Sequence, residues 1–235
     1  MPLSGNAQIK NRLLGMLPRE DLRKLMPRFE VVTLERRQVL QEPGEPIRYA
    51  YFPESGVVSF LTRLQDGSGV ETATIGNEGM TGMRLLLGVD TGPAQVLVQV
   101  AGSALRIASD DLRNACERDT PLRRILLRYL SAFITQLTQS VACNTLHALE
   151  NRLARWLLMT HDRVQANQFS LTHELLALML GVRRASVTVA ARKLQEERLI
   201  QYTHGKITVL DRAGLEKASC ECYQAVKKDY DDLIA

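Results

Sequence analysis

The residues Thr172-His173-Glu174-Leu175-Leu176-Ala177-Leu178-Met179-Leu180-Gly181, with their continuation to Leu210, decide the fold. Thr172 has the side chain of a helix N-cap. Leu175, Leu176, Met179 and Leu180 then recur at spacings of three and four, the apolar stripe of a helix. Gly181 ends it, because a residue without a Cβ takes the left-handed backbone that a sharp turn requires. A second helix fits 184–198, with Val187, Ala191 and Leu194 on one face. Small Ala177, the turn at Gly181 and Val187 between the helices give the spacing of a helix-turn-helix. Beyond it, 199–203 and 206–210 read as strands joined at His204-Gly205, with glycine where a primed hairpin turn wants it. The whole is a winged helix.

Between Gly181 and Lys206 the cations Arg183, Arg184, Arg192, Lys193, Arg198 and Lys206 stand against Glu196 and Glu197. That excess lies where a recognition helix and a wing would meet phosphates. The plainer alternative is a helical hairpin with an ordinary solvated face.

The chain has 235 residues, 45% of them hydrophobic and 24% charged, an ordinary globular balance. Its net charge of +4 is compatible with nucleic acid without requiring it. No apolar run approaches the ~18 residues of a membrane span, and the N-terminus lacks a secretory apolar core, so a cytoplasmic protein is expected.

Upstream, 8–27 reads as helix in two pieces divided at Pro18. From Phe29 the period changes to two. Short strands are expected around 29–33, 39–40, 49–52, 57–62, 70–75, 95–100 and 104–107, with turns at Pro43-Gly44-Glu45-Pro46, Pro53-Glu54-Ser55-Gly56 and Asp66-Gly67. Such spacing argues an antiparallel barrel or roll. Thr120-Pro121 then opens a helix of about 25 residues. Leu126, Tyr129, Phe133, Leu137 and Val141 form one stripe on it, and Ile125, Leu130 and Ile134 widen it to a second face. A helix apolar on two faces needs two surfaces, here the roll and a second copy of the chain. A core helix within one chain is the alternative. A further helix over 147–163, a polar loop at 164–168 and a charged amphipathic tail helix packed on the wing domain complete the reading. The fold class is α+β: an antiparallel β-roll over 1–120, a central dimerisation helix over 121–146, and a winged helix-turn-helix over 147–235.

This order resembles the Crp/Fnr family of bacterial transcription regulators, over roughly residues 20–215. The best-matching parts are Gln38-Val39-Leu40 leading to Pro43-Gly44-Glu45-Pro46, Gly56 in the roll, and the winged helix. The resemblance implies a homodimer on a palindromic operator in double-stranded DNA, with the second helix of each motif in the major groove, and RNA polymerase as a further partner. Arg184 matches the family's arginine that reads a guanine edge. Ala185 and Val189 fall where other members carry polar base-reading side chains, which leaves only apolar contact with a thymine methyl. Thr172, Ser186 and His204 match phosphate-contact positions, and Arg183 replaces a small polar residue at another. Lys206 is added from the basic wing, and Thr188 as a side chain expected to be exposed on the same helix.

The ligand end departs from the pattern. Gly82-Met83-Arg84 stands where cyclic-nucleotide binders have Gly-Glu-Leu, and Pro93-Ala94-Gln95 stands at the Arg-Ser pair. Cyclic AMP is therefore not expected. Met83, Arg84 and Gln95 are the candidates for an unidentified small-molecule effector. An N-terminal iron–sulfur cluster lacks its cysteines, since the first is Cys116; His147, His161, His173 and His204 all come after the roll, so haem in it is not expected. Neither a cofactor nor a metal site is expected. Cys220-Glu221-Cys222 lacks the usual two-residue gap, and no other Cys or His lies near it in sequence, so these read as incidental thiols on a terminal helix. An adaptor that has lost DNA binding is the competing class, opposed by Arg184 and the basic wing. An enzyme is opposed by the absence of a phosphate-binding loop with its lysine: Gly76-Asn77-Glu78-Gly79 lacks the context.

Overall fold

The computed structural model describes residues 9–118, 120–164 and 166–234. Residues 1–8 of the expected first domain, and Gln165 of the expected polar loop, lie outside them. Helices α1 (Arg12–Gly15) and α2 (Arg19–Leu25) lead into an antiparallel sheet of β1 (Phe29–Leu34), β2 (Val39–Gln41), β3 (Tyr49–Arg63), β4 (Gly69–Ile75) and β5 (Gln95–Ala108). Its order is β1-β5-β3-β4, with β2 also on β5. Then come α3 (Ser109–Cys116), α4 (Pro121–Leu146), α5 (Leu149–Val164), β6 (Gln168–Ser170), α6 (His173–Leu180), α7 (Arg184–Glu196), β7 (Ile200–Thr203), β8 (Lys206–Val209), α8 (Arg212–Ala218) and α9 (Cys222–Ile234).

The roll differs from the expectation in one respect. The strands expected on either side of Pro53–Gly56 are a single β3, and those on either side of Ala101 are a single β5. The pairing register slips at Pro53/Ser55, Ser55/Val57 and Val57/Val58, so the expected turn is a run of bulges. Gly56 (φ +84°) and Gly102 face each other there. A Cβ on Gly56 would lie 2.5 Å from the Val100 carbonyl oxygen, so only glycine lets the backbones close.

Thr120 caps α4, accepting from the Arg123 N–H at 3.2 Å, with Pro121 in the first turn. Leu122, Leu126, Tyr129 and Phe133 are buried against the roll, and the rings of Phe60 and Phe133 meet at 5.3 Å. The second apolar face is composed differently from the expectation. Ile125 is buried, whereas Val141 leaves the inward stripe and is exposed with Leu127 and Ile134. The tail also departs from expectation: it forms two helices, and α9 packs against α4, with the Tyr129 and Tyr230 rings 6.3 Å apart. The reason is that α9 carries buried Tyr223, Val226, Tyr230 and Leu233 at helical spacing, a face that α4 covers.

Two buried polar contacts join the roll to the C-terminal half. Arg163 of α5 donates to Glu78 (2.8 Å), to the Thr74 carbonyl (3.2 Å) and to Gln136 of α4 (3.3 Å). Gly76 and Gly79 flank that glutamate because a Cβ on either would strike Arg163 or the Tyr129 ring. The segment weighed in the sequence as a phosphate loop is thus a packing turn. The second contact is Trp156 Nε1 donating to Glu71 at 2.7 Å. Burial raises the Glu71 carboxyl from 4.5 to about 7, more than the Ser59 and Trp156 side chains and the nearby Arg163 and Arg155 lower it. The folded protein therefore holds this proton more tightly than the unfolded chain does. The resulting stability is full below pH 4.5 and lost as pH rises towards about 7. Glu71→Gln should flatten the pH dependence of Tm across that window, as measured by circular dichroism.

Candidate nucleic-acid interface

Thr172 caps α6, accepting from the Leu175 N–H at 3.3 Å. Gly181 closes α6 at φ +63°, its N–H reaching the Ala177 and Leu178 carbonyls. Arg183 takes the N-cap position of α7 but makes no side-chain capping bond among the described residues, so its guanidinium points elsewhere. Val187, Ala190, Ala191 and Leu194 bury the inner face of α7. His204 (φ +48°) and Gly205 (φ +76°) form the expected primed turn between β7 and β8. β6, of which only Gln168 falls in the expected polar loop, adds a third strand to the wing by pairing with β8.

The outer face of α7 is open. Arg183, Arg184, Ala185, Ser186 and Val189 are exposed, Val189 at 64%, as are His204 and Lys206 on the wing. Thr172 is half-buried, its hydroxyl oxygen accepting in the cap while its O–H remains a donor. Thr188 departs from the reading of it as an exposed contact. It is half-buried, its hydroxyl donating to the Arg184 carbonyl (3.2 Å) and lying 3.0 Å from His173 Nδ1. A helical threonine turned towards the preceding turn satisfies itself locally. His173 in turn stacks on Tyr202 at 4.1 Å. Burial, and then the charge of Arg184, hold its imidazole below the usual value, so it is neutral at pH 7. Arg184 pairs with Glu174 at 2.7 Å, with both side chains more than half exposed. Sequence reading missed this partner because it lies on the other helix of the motif.

The effector candidates are not brought together. Met83 is buried, and Arg84 donates to the Thr91 carbonyl at 2.6 Å; both line a cavity of about 40 Å³. Gln95 lies outside that cavity, bonded to Glu42 at 2.9 Å and facing Arg63. A volume of this order is far below the ~300–1,000 Å³ of small-molecule pockets.

Residues 31–119 match the cyclic nucleotide-binding domain family, and residues 151–218 match the Crp-like helix-turn-helix domain family. The chain belongs to the Crp/Fnr family. It is a Crp/Fnr-like transcription regulator with a helix-turn-helix domain. A relative is the global nitrogen regulator of Nostoc sp. PCC 7120, 24% identical over 190 residues, covering 76% of this chain and 84% of that protein. The Crp/Fnr fold is shared with FixK2 from Bradyrhizobium japonicum (TM-score 0.70, 16% identity, 82% of this chain and 98% of that one). It is shared equally with a CRP/FNR-family transcriptional regulator from Thermus thermophilus (TM-score 0.67, 22% identity, 81% and 98%). No helix among the described residues is long and apolar enough to cross a membrane.

The Crp/Fnr helix-turn-helix leans on β4 of the roll through α6 and the turn after it. A Cβ on Gly181 would lie 3.2 Å from Val70 Cγ2 of β4, and the backbone there is left-handed. Gly181→Ala should therefore destabilise the protein by about 1–2 kcal/mol, the cost of a left-handed non-glycine residue, measurable by urea denaturation.

Proposed function

We propose that the chain is a homodimeric, sequence-specific DNA-binding regulator working in the cytoplasm, with the N-terminal half of α7 in the major groove. The observation that carries this reading is the exposed outer face of α7, where Arg184, Ala185 and Val189 stand open to solvent beside the basic tip His204-Gly205-Lys206. Arg184 reads guanine through two parallel donors, and Ala185 and Val189 contact thymine methyls. Arg183, Ser186, Thr172, His204 and Lys206 meet the phosphates and fix register. Thr188 contributes indirectly, by packing the start of α7 against His173.

The division into a roll (1–120), a central helix (121–146) and a winged helix (147–235) fits this task. Leu127, Ile134 and Val141 stand exposed seven residues apart on α4, at 38, 52 and 69%. That is the repeat of a coiled-coil seam, and a second α4 covers it. Two copies joined there present their α7 helices as a symmetric pair, which is why the operator is a palindrome. A signal taken up by the roll reaches DNA by altering how the two α4 helices pack, and RNA polymerase reads the outcome. The effector is not cyclic AMP, since neither the carboxylate nor the arginine of that site is present.

Selection of bound DNA from a random pool should recover a palindrome. Arg184→Ala should lose about 1–3 kcal/mol of preference for one base per half-site. Lys206→Ala should weaken every sequence alike and lower the salt slope by about one. Failure of the wild-type chain to bind any duplex overturns the reading. Ile134→Glu should yield monomers by analytical ultracentrifugation at micromolar concentration, with operator affinity reduced at least tenfold.

A further inference from the structure

Cys143, His147, Cys220 and Cys222 come from two distant parts of the chain and meet at one corner. Their ligand atoms all lie within 4.8 Å of one another. Cys143 is in the last turn of α4, and His147 comes just after that helix, four residues on. Cys220 sits between α8 and α9, and Cys222 is the first residue of α9. Cys220 and Cys222, which the sequence offers as incidental thiols, thus stand beside Cys143 and His147. Nothing near them in sequence is a partner, but the packing of α9 on α4 supplies two.

The geometry points to a mononuclear zinc site of the closed Cys₃His type. A tetrahedron with Zn–S of about 2.3 Å and Zn–N of about 2.0–2.1 Å has edges of roughly 3.5–3.8 Å. Cys143 Sγ lies 3.5 Å from Cys220 Sγ, and Cys222 Sγ lies 3.6 Å from His147 Nδ1. A cluster of several irons would hold its cysteine sulfurs farther apart than these four groups stand.

Two neighbours suit the same ion. Nε2 of His147 lies 3.3 Å from the Glu221 carboxylate, leaving Nδ1 turned towards the thiols. A ligating histidine that donates its second N–H to a carboxylate is fixed in tautomer and ring orientation. Arg155 of α5 is 7% exposed, and its Nε has no hydrogen-bond partner among the described residues, its Nη2 going to Ser140 of α4 at 3.2 Å. Three thiolates, one neutral imidazole and Zn²⁺ carry a net charge of −1, which this buried guanidinium balances. The cysteines are 0, 7 and 2% exposed for 143, 220 and 222, so the centre is closed and structural. Its place in the fold gives it a task. The ion clamps the break between α4 and α5 to the corner between α8 and α9, and so sets the angle at which the winged helix leaves the central helix. Cys116, also buried, lies outside the cluster and is the internal control.

The test is titration of the purified, chelator-treated full-length chain with Co²⁺ and then Zn²⁺. One equivalent of Co²⁺ per chain should give the intense bands of a tetrahedral thiolate complex, and Zn²⁺ should displace it. Zn²⁺ at a hundredfold excess over its Kd should raise the thermal midpoint by about 5–10 °C. Cys116→Ser should change nothing. Cys143→Ser, Cys220→Ser and Cys222→Ser should each weaken Zn²⁺ at least a hundredfold, and Glu221→Gln about tenfold to a hundredfold. If a cysteine variant does not fold, the wild-type spectrum and Glu221→Gln decide. The proposal is overturned by an octahedral spectrum or none, by undiminished binding in a folded Cys143→Ser/Cys220→Ser chain, or by iron with acid-labile sulfide in place of one ion. None of these readouts uses DNA, so the site is judged apart from the DNA-binding reading.

Discussion

Arg163 is a guanidinium taken out of water, and the arrangement of the molecule is set by the need to satisfy it. A buried cation costs several kcal/mol unless it is paired and its remaining N–H groups find acceptors. Here Nε goes to Glu78, Nη2 to the Thr74 carbonyl and Gln136, and Nη1 to the Met159 carbonyl at 2.8 Å. Those acceptors lie on the loop after β4, on β4 itself, on α4 and on α5. Gln136 closes the ring by donating to the same Thr74 carbonyl at 2.9 Å. No one element can move without stranding a charge or an amide in the core. The roll, the central helix and the first helix of the C-terminal half are therefore fixed relative to one another.

That constraint explains features that look unrelated. The tight glycines 76 and 79 allow Glu78 to be carried up to the guanidinium, and its carboxylate is held in turn by the Gly76 N–H at 3.0 Å. Tyr129 beside them spends its hydroxyl on the Met80 carbonyl, 3.0 Å away. With one side of α4 committed in this way, its outward residues remain for another surface. The exposed repeat Leu127, Ile134, Val141 is what is left when the roll has taken its share.

How much of this was legible in the sequence depended on range. The helix-turn-helix is specified locally: Thr172 caps, Gly181 turns and Val187 plugs within sixteen residues, and each holds the position its chemistry suggests. The hairpin turn at His204-Gly205 is likewise a two-residue matter. The bulges in β3 were not legible, because Pro53-Glu54-Ser55-Gly56 carries the composition of a turn whichever way the partner strand runs; only the facing Gly102 distinguishes the two. The α4 faces were read as two but divided wrongly at Val141, since periodicity shows that a residue is apolar and not which neighbour covers it. The cysteine corner was invisible for the same reason in stronger form, its two halves standing 77 residues apart.

The contrast between two of the ion pairs, Arg163–Glu78 and Arg184–Glu174, then decides which part is rigid and which adapts. Arg163 and Glu78 are both more than nine-tenths buried, and breaking that pair leaves an uncompensated charge in the core, a loss of about 3–5 kcal/mol. Arg184 and Glu174 are 67 and 58% exposed, and such a pair contributes about 0–1 kcal/mol. A base edge or a phosphate can take Arg184 from Glu174 at little cost, while the carboxylate left behind repels any backbone that arrives out of register. The scaffold pair thus fixes where α7 stands, and the surface pair keeps its arginine extended across the groove-facing side until a better acceptor is offered. In the proposed reading, discrimination by Arg184 rests on that asymmetry: the weak pair would set a threshold that a correctly placed guanine exceeds with two hydrogen bonds and a misplaced one does not.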